Sequence, residues 1–197
     1  MTHMRFRPSG GGFGDGLDEP VRLDGLAEEE RVLIRAFRRW VEGGPACDAA
    51  WNQIATRFGG RPGRPIMAAL ILLVERLRDS TRRTIQHHAA CCPCLSADEL
   101  RLLNLVAVAG TGRIDRARGL AADLIGLDPY SDGAQALTAG LDLAEAAQRL
   151  AAALAPHGAC PTDRPSLGLE EPSGRERAFG MVPERGKDTD RAPTWLN

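Results

Sequence analysis

Apolar residues recur at helical spacing through most of this chain, and no segment shows the strict alternation of a β-strand. In the clearest case, five apolar side chains fall on one helical face: Leu33, Ile34, Phe37, Trp40 and Val41. Aromatic residues make up only 5 % of the chain, so strands lack their usual composition. The pattern predicts an all-α fold, with about six helices in an irregular bundle of orthogonal and antiparallel helices.

Glycine, proline and capping residues mark the helix boundaries. The six helices are predicted at about 27–42, 46–58, 65–79, 96–109, 114–125 and 132–155. Ser96 and Glu99 form an S-x-x-E capping box at the start of the fourth helix. The third helix begins with Pro65 as its first residue and is apolar nearly all round. We therefore expect the third helix at the centre of the fold.

Both ends of the chain differ in composition from the part between them. Residues 1–20 are rich in glycine and polar residues, and proline recurs among charged residues throughout 156–197. Such segments cannot bury enough apolar surface to fold, so we expect a flexible N-terminal segment and a disordered C-terminal tail. Residues 21–155 are predicted to form one helical domain. Its parts are the first three helices, a loop and the last three helices, at 27–79, 80–95 and 96–155.

The charge balance and the apolar runs restrict where the protein acts. The chain has 25 basic and 26 acidic residues, so no global field attracts nucleic acid or anionic lipid. Lys187 is the only lysine, a usage typical of GC-rich bacterial genomes. The N-terminus lacks the apolar run of a signal peptide, and the longest apolar stretch, Ile66–Val74, is too short to cross a bilayer. We expect a cytoplasmic protein without a membrane span.

One loop concentrates cysteine and histidine in a way that suggests a metal site. Its candidate ligands are His87, His88, Cys91, Cys92 and Cys94. Cys91-x-x-Cys94 has the spacing in which two thiolates reach one tetrahedral ion, and imidazole is the other usual zinc ligand. A fourth ligand is sought among Cys47, His157 and Cys160. The cluster predicts a structural zinc, although the second ligand pair of a complete zinc motif is missing.

The same loop allows three other interpretations. Cys91 and Cys94 form a C-x-x-C pair ahead of a helix N-terminus, where a thiol pKa is lowered, so a thiol-redox protein is one alternative. Cys92-Pro93 and Cys160-Pro161 are pairs of the kind that ligate haem through a thiolate. In the simplest interpretation, small buried thiols and partly solvated imidazoles only stabilise the loop.

Arginines near residues 57–64 raise the alternative of DNA binding. The segment Arg61-Pro62-Gly63-Arg64-Pro65 resembles the Gly-Arg-Pro core of an AT-hook, in which arginines lie along the minor groove. The helices on either side can also be drawn as a helix-turn-helix, with Arg57, Arg61 and Arg64 facing phosphate. Proline at a helix start after two glycines is, however, ordinary connector chemistry, and the third helix is too apolar to expose a reading face.

A second set of arginines follows one face of the first helix. Arg31, Arg35 and Arg38 are predicted on the side opposite the apolar residues, where they form either a solvated face paired with glutamates or a surface for a partner protein. No nucleotide-binding, serine-hydrolase or zinc-protease motif occurs, so an enzyme has no sequence support. The sequence predicts a non-enzymatic helical adaptor or regulatory module that acts through another protein. It does not indicate the oligomeric state.

Overall fold

The structure is a computed structural model that describes the backbone of residues 6–8 and all of residues 21–128 and 132–163. In this part of the chain, six α-helices form a bundle, which confirms the all-α prediction. The helices are α1 (Glu28–Glu42), α2 (Pro45–Phe58), α3 (Gly60–Ser80), α4 (Ala97–Gly110), α5 (Ile114–Ile125) and α6 (Gly133–Leu154). The remaining residues of the predicted N-terminal segment and C-terminal tail lie outside the described residues.

A two-glycine turn brings α1 and α2 together as a helical hairpin. Gly43 and Gly44 have φ angles of 79° and 55°, which residues with a side chain rarely adopt, and Pro45 then starts α2 with its fixed φ. α1 and α2 pack against each other along their length. The end of α2 therefore lies beside the first turn of α1.

α3 begins at Gly60, five residues before the predicted start at Pro65. Pro62 falls in the first turn, where a backbone N–H has no intrahelical partner in any case. Pro65 lies inside the helix and costs it one backbone hydrogen bond. The AT-hook-like segment is thus helical, and neither a connector nor an extended hook forms there.

α4, and not α3, is the most enclosed helix, so the predicted central position of α3 is wrong. Every residue from Leu102 to Ala109 is buried, and α4 packs against α5, α6 and the loop before it. α3 buries one face and leaves the other to solvent. Among the described residues, no helix combines the length and the apolar character needed to span a membrane.

α5 and α6 approach closely, as their alanine content predicts. Gly140 lies so near α5 that a Cβ atom there would be 3.0 Å from the carbonyl oxygen of Arg118. A side chain at this position would push the two helices apart by a few tenths of an ångström, so glycine suits this close crossing. The three helices α4, α5 and α6 are mutual neighbours, as their short connections predict.

Two short backbone pairings hold the loop between α3 and α4. Phe6–Pro8 (β1) pairs in parallel with Ile85–His87 (β2), and Arg22 forms an antiparallel bridge with Cys94. Leu23 follows in a short 3-10 helix and donates its N–H to the carbonyl of Pro93. Part of the segment predicted to be flexible is therefore paired with the loop.

The helical body extends eight residues into the predicted tail. Ala155–His157 forms a 3-10 turn, and the Ala159 that follows is 3 % exposed. The Thr162 N–H donates to Glu30 Oε1 at 3.0 Å, and Asp163 forms an ion pair with Arg113 at 2.8 Å. These contacts hold the end of the described chain against the first turn of α1 and the start of α5.

Candidate functional site

The guanidinium of Arg38 is the central group of the Cys/His loop. Its side chain is fully buried, and it pairs with the equally buried carboxylate of Glu99 through Nε–Oε1 at 2.6 Å and Nη2–Oε2 at 2.8 Å. Such a two-point pair is the strong geometry for arginine and carboxylate. The predicted solvated position of Arg38 is therefore wrong. The pair joins α1 directly to α4.

Arg38 also binds the loop itself, through main-chain oxygens. Nη1 donates to the carbonyls of Ala89 at 3.2 Å and Cys92 at 2.7 Å, and Nη2 donates to that of Cys94 at 2.6 Å. With the two bonds to Glu99, these contacts use all five N–H donors of a guanidinium. The backbone of the loop is thus wrapped around a buried cation.

Glu99 completes the arrangement from the start of α4. Its carboxylate accepts the N–H of His88 at 3.2 Å and that of Ser96 at 2.8 Å, while Ser96 Oγ accepts the N–H of Glu99 at 3.1 Å. The last two bonds are the predicted capping box, which is confirmed. One carboxylate thus caps α4, neutralises Arg38 and orients the loop.

Asp98 fixes the other end of the loop. It receives two hydrogen bonds from Arg83, at 2.6 and 2.8 Å, one from Arg101 at 2.8 Å and one from the N–H of Gln86 at 2.8 Å. Burial alone would raise the pKa of Asp98, but these hydrogen bonds and the charge of Arg83 outweigh it and lower the pKa below 3.8. The ionised form of Asp98 is part of the fold.

The predicted zinc ligands lie in three separate regions. His87 is buried, His88, Cys92 and Cys94 are half-buried, and Cys91 is exposed. The candidates for a fourth ligand are further away along the fold: Cys47 at the start of α2, and His157 and Cys160 beyond α6. Among the described residues, no three His, Cys, Asp or Glu side chains come together so as to hold a metal ion.

The other interpretations of the loop have no supporting contact. All five cysteines are free thiols, so Cys91 and Cys94 form no disulfide. Zinc, thiol-redox and haem binding stay predictions from the sequence. Elemental analysis of protein purified without chelator tests the first of them directly.

Of the arginines predicted to contact DNA, one is already paired. Arg57 forms ion pairs with Glu29 and, at 3.9 Å, with Glu28, and its guanidinium lies 5.4 Å from the ring centroid of Phe58. Arg61 and Arg64 are exposed in the first two turns of α3. DNA binding stays a prediction, with only two of its three arginines available to phosphate.

An open groove of about 700 Å³ lies between α1, α2 and the Cys/His loop. We call it the α1–α2 groove, and it is lined by Glu28, Val32, Arg35, Arg39, Ala49, Asn52, Gln53, Thr56, Arg57, Ala90 and Cys91. The loop backbone held by Arg38 forms one wall. The groove therefore brings the exposed thiol of Cys91 into the same cavity as three arginines.

Two of those arginines have no carboxylate partner in the described part of the chain. Arg35 is exposed and makes neither an ion pair nor a hydrogen bond there. Arg39 is held by neutral acceptors, the carbonyl of Ala49 at 3.3 Å and Oε1 of Gln53 at 2.9 Å. Four residues apart on α1, the two side chains lie one turn from each other on the same face. The groove is consequently a cationic surface.

Comparison with protein-family models, with curated proteins and with solved structures finds no match to this chain. The geometry of the Arg38 pair and of the α1–α2 groove is therefore the basis for inferring a function.

Acidification is expected to weaken the fold through His88. Burial lowers the pKa of this imidazole below 6.5; Glu99 opposes the shift, and Arg38 and His87 add to it. The unfolded chain then takes up the proton first as the pH falls, so stability is complete above about pH 6.5 and decreases below it. Urea unfolding at pH 7.5 and 5.5 measures this, and the loss should shrink in His88→Asn. An equal loss in both proteins would contradict the assignment.

Proposed function

We propose that this protein is a non-enzymatic, cytoplasmic helical adaptor that binds an acidic segment of a partner protein in the α1–α2 groove. The observation that carries the proposal is the pair Arg35 and Arg39, two arginines on one groove wall that no carboxylate of the described chain neutralises. Arginine binds carboxylates through two parallel hydrogen bonds, which gives both affinity and orientation.

The shape of the groove favours an extended ligand. It runs along α1 from Glu28 to Arg39, a rise of about 16 Å, which matches about five residues of extended chain. Val32 supplies an apolar contact on this wall, and Asn52 and Thr56 supply polar groups on the α2 side. A short acidic segment with an occasional apolar residue fits these contacts.

The groove is also preorganised. Gln53 and the Ala49 carbonyl hold Arg39 in place before any ligand arrives, so its ordering costs little on binding. Arg38 fixes the wall that contains Ala90 and Cys91. The structural zinc predicted from the sequence would stabilise the Cys/His loop. The Arg38–Glu99 pair, which joins α1 to α4, supports the view that a buried ion pair performs that task.

Charge reversal on α1 tests the proposal. We expect the wild-type chain to bind a short fluorescein-labelled, glutamate-rich peptide, and Arg35→Glu/Arg39→Glu to bind it about tenfold more weakly or worse, because charge-assisted contacts are lost. Fluorescence anisotropy measures the affinity, which should fall as salt is added.

The matched control is Arg149→Glu, since Arg149 is also exposed but lies on α6 outside the groove. It should bind the peptide like the wild type. Equal binding by the control and the groove variant would contradict the proposal. Retention on duplex DNA that depends on Arg61 and Arg64, without peptide binding, would instead favour the DNA-binding alternative.

A further inference from the structure

The described chain ends close to one end of the α1–α2 groove. His157 packs its ring on Phe58 at a centroid distance of 5.4 Å, and the neighbouring Arg57 lines the groove. Thr162 then binds Glu30 in the first turn of α1. Residues 157–163 thus pass the place where α2 ends and α1 begins.

The sequence that follows contains one acidic pair free of adjacent basic residues. Glu170 and Glu171 have no arginine or lysine within three positions on either side. Every other acidic residue beyond 163 has a basic neighbour, as in Arg175-Glu176-Arg177, Glu184-Arg185, Lys187-Asp188 and Asp190-Arg191. The pair Glu170–Glu171 is therefore the part of 164–197 whose charge best complements Arg35 and Arg39.

The connection is long enough. Glu170 is seven positions after Asp163, and an extended chain covers about 23 Å over that distance. The whole groove wall from Glu28 to Arg39 measures about 16 Å along α1. The connection is therefore longer than the groove wall.

An acidic pair near the other end of the chain, Asp18 and Glu19, is less favourably attached. The chain before it is fixed to β2 through Phe6–Pro8, and the chain after it is fixed to the loop through Arg22. The pair belongs to a connection between two anchored points, whereas Glu170 and Glu171 follow an anchor on one side.

We propose that the segment Leu169–Glu171 of this chain occupies the α1–α2 groove when no partner is bound, with Glu170 and Glu171 on Arg35 and Arg39. The inference rests on the proposed function, because a partner that binds in the groove would have to displace this segment. A tethered ligand acts at an effective concentration of about millimolar, so it weakens the apparent affinity of a partner in proportion to the time that it occupies the groove. The C-terminal tail thereby regulates the access of a partner to the α1–α2 groove.

The thiol of Cys91 reports on this occupancy in the full chain, because it is exposed and lines the groove. Alkylation by a neutral maleimide should be at least about threefold faster in Glu170→Gln/Glu171→Gln, since a segment docked two-thirds of the time leaves the thiol open one-third of the time. Arg35→Gln/Arg39→Gln should have the same effect. Cys47, outside the groove, is the internal reference for peptide mapping, and Asp18→Asn/Glu19→Gln is the matched control.

Unchanged Cys91 alkylation in the Glu170/Glu171 variant would overturn the inference, as would acceleration only in the Asp18/Glu19 variant. Peptide binding separates this result from the proposed function. If Cys91 becomes more reactive but no variant binds the acidic peptide, the tail occupies the groove and the adaptor proposal fails. If the peptide binds through Arg35 and Arg39 while neither reactivity nor affinity responds to Glu170 and Glu171, only the tail inference fails.

Discussion

Arg38→Met is expected to reduce the free energy of unfolding by about 3–5 kcal/mol, because it leaves the buried Glu99 carboxylate without its counter-charge. The carbonyls of Ala89, Cys92 and Cys94 lose their donor at the same time. Domains of this size are stable by about 5–15 kcal/mol, so the variant should unfold at a much lower urea concentration.

Two controls make the interpretation specific. Arg35→Met changes the same residue type on the exposed side of α1 and should alter stability by less than about 0.5 kcal/mol. Arg38→Met/Glu99→Leu removes both charges and should be more stable than Arg38→Met alone. A near-normal Arg38→Met protein would show that something else holds the loop, and a stability that then falls on adding a chelator would identify that agent as the predicted metal.

Leu105→Ala in α4 is expected to cost about 2–5 kcal/mol, which is the second-largest effect. Leu105 is 0 % exposed in a helix surrounded by protein, so the cavity left by its side chain cannot be filled from solvent or by a small shift. Leu72→Ala in α3 is the matched substitution. Leu72 is only half-buried at the edge of the core, so its loss should be about 1 kcal/mol.

Equilibrium unfolding in urea compares two variants that remove the same side-chain atoms. The difference between their free energies of unfolding matters more than the absolute values, because the two denatured chains are nearly the same. If Leu72→Ala proved the more damaging substitution, α3 would be the central helix after all, as its continuous apolar composition predicts.

The helices could be predicted because their signals are local. Gly43 and Gly44 end α1 by their conformation, and the Ser96–Glu99 capping box starts α4. Residues next to each boundary therefore specify it. The start of α3 was misplaced because Pro62 and Pro65 both suit a helix beginning. The chain uses the earlier one and accepts Pro65 within the helix.

The site depended on distant residues and could be predicted only in part. Arg38 meets Glu99, 61 residues away, and no local pattern specifies that pairing. A signal was present, since Arg38 lies four residues after Ile34 and three before Val41, at the edge of the apolar face. The interpretation of Arg31, Arg35 and Arg38 together as one solvated or partner-binding face does not use this signal.

The cysteine loop shows why side-chain spacing was an incomplete guide. The spacing of Cys91, Cys92 and Cys94 drew attention to sulfur, whereas the carbonyl oxygens of the loop make its essential contacts. Main-chain groups are the same in every residue, so their role appears only once the helices are packed. The α1–α2 groove likewise arises from the packing of three separate segments.

The hydrogen bond from Thr162 to Glu30 has a consequence for biosynthesis, because it spans 132 positions. The opening turn of α1 emerges from the ribosome long before its last contact exists. The earlier helices can assemble during translation, but the Thr162–Glu30 hydrogen bond can form only after the C-terminal residues have been synthesised. A stalled or prematurely terminated nascent chain would present this open turn to chaperones and proteases.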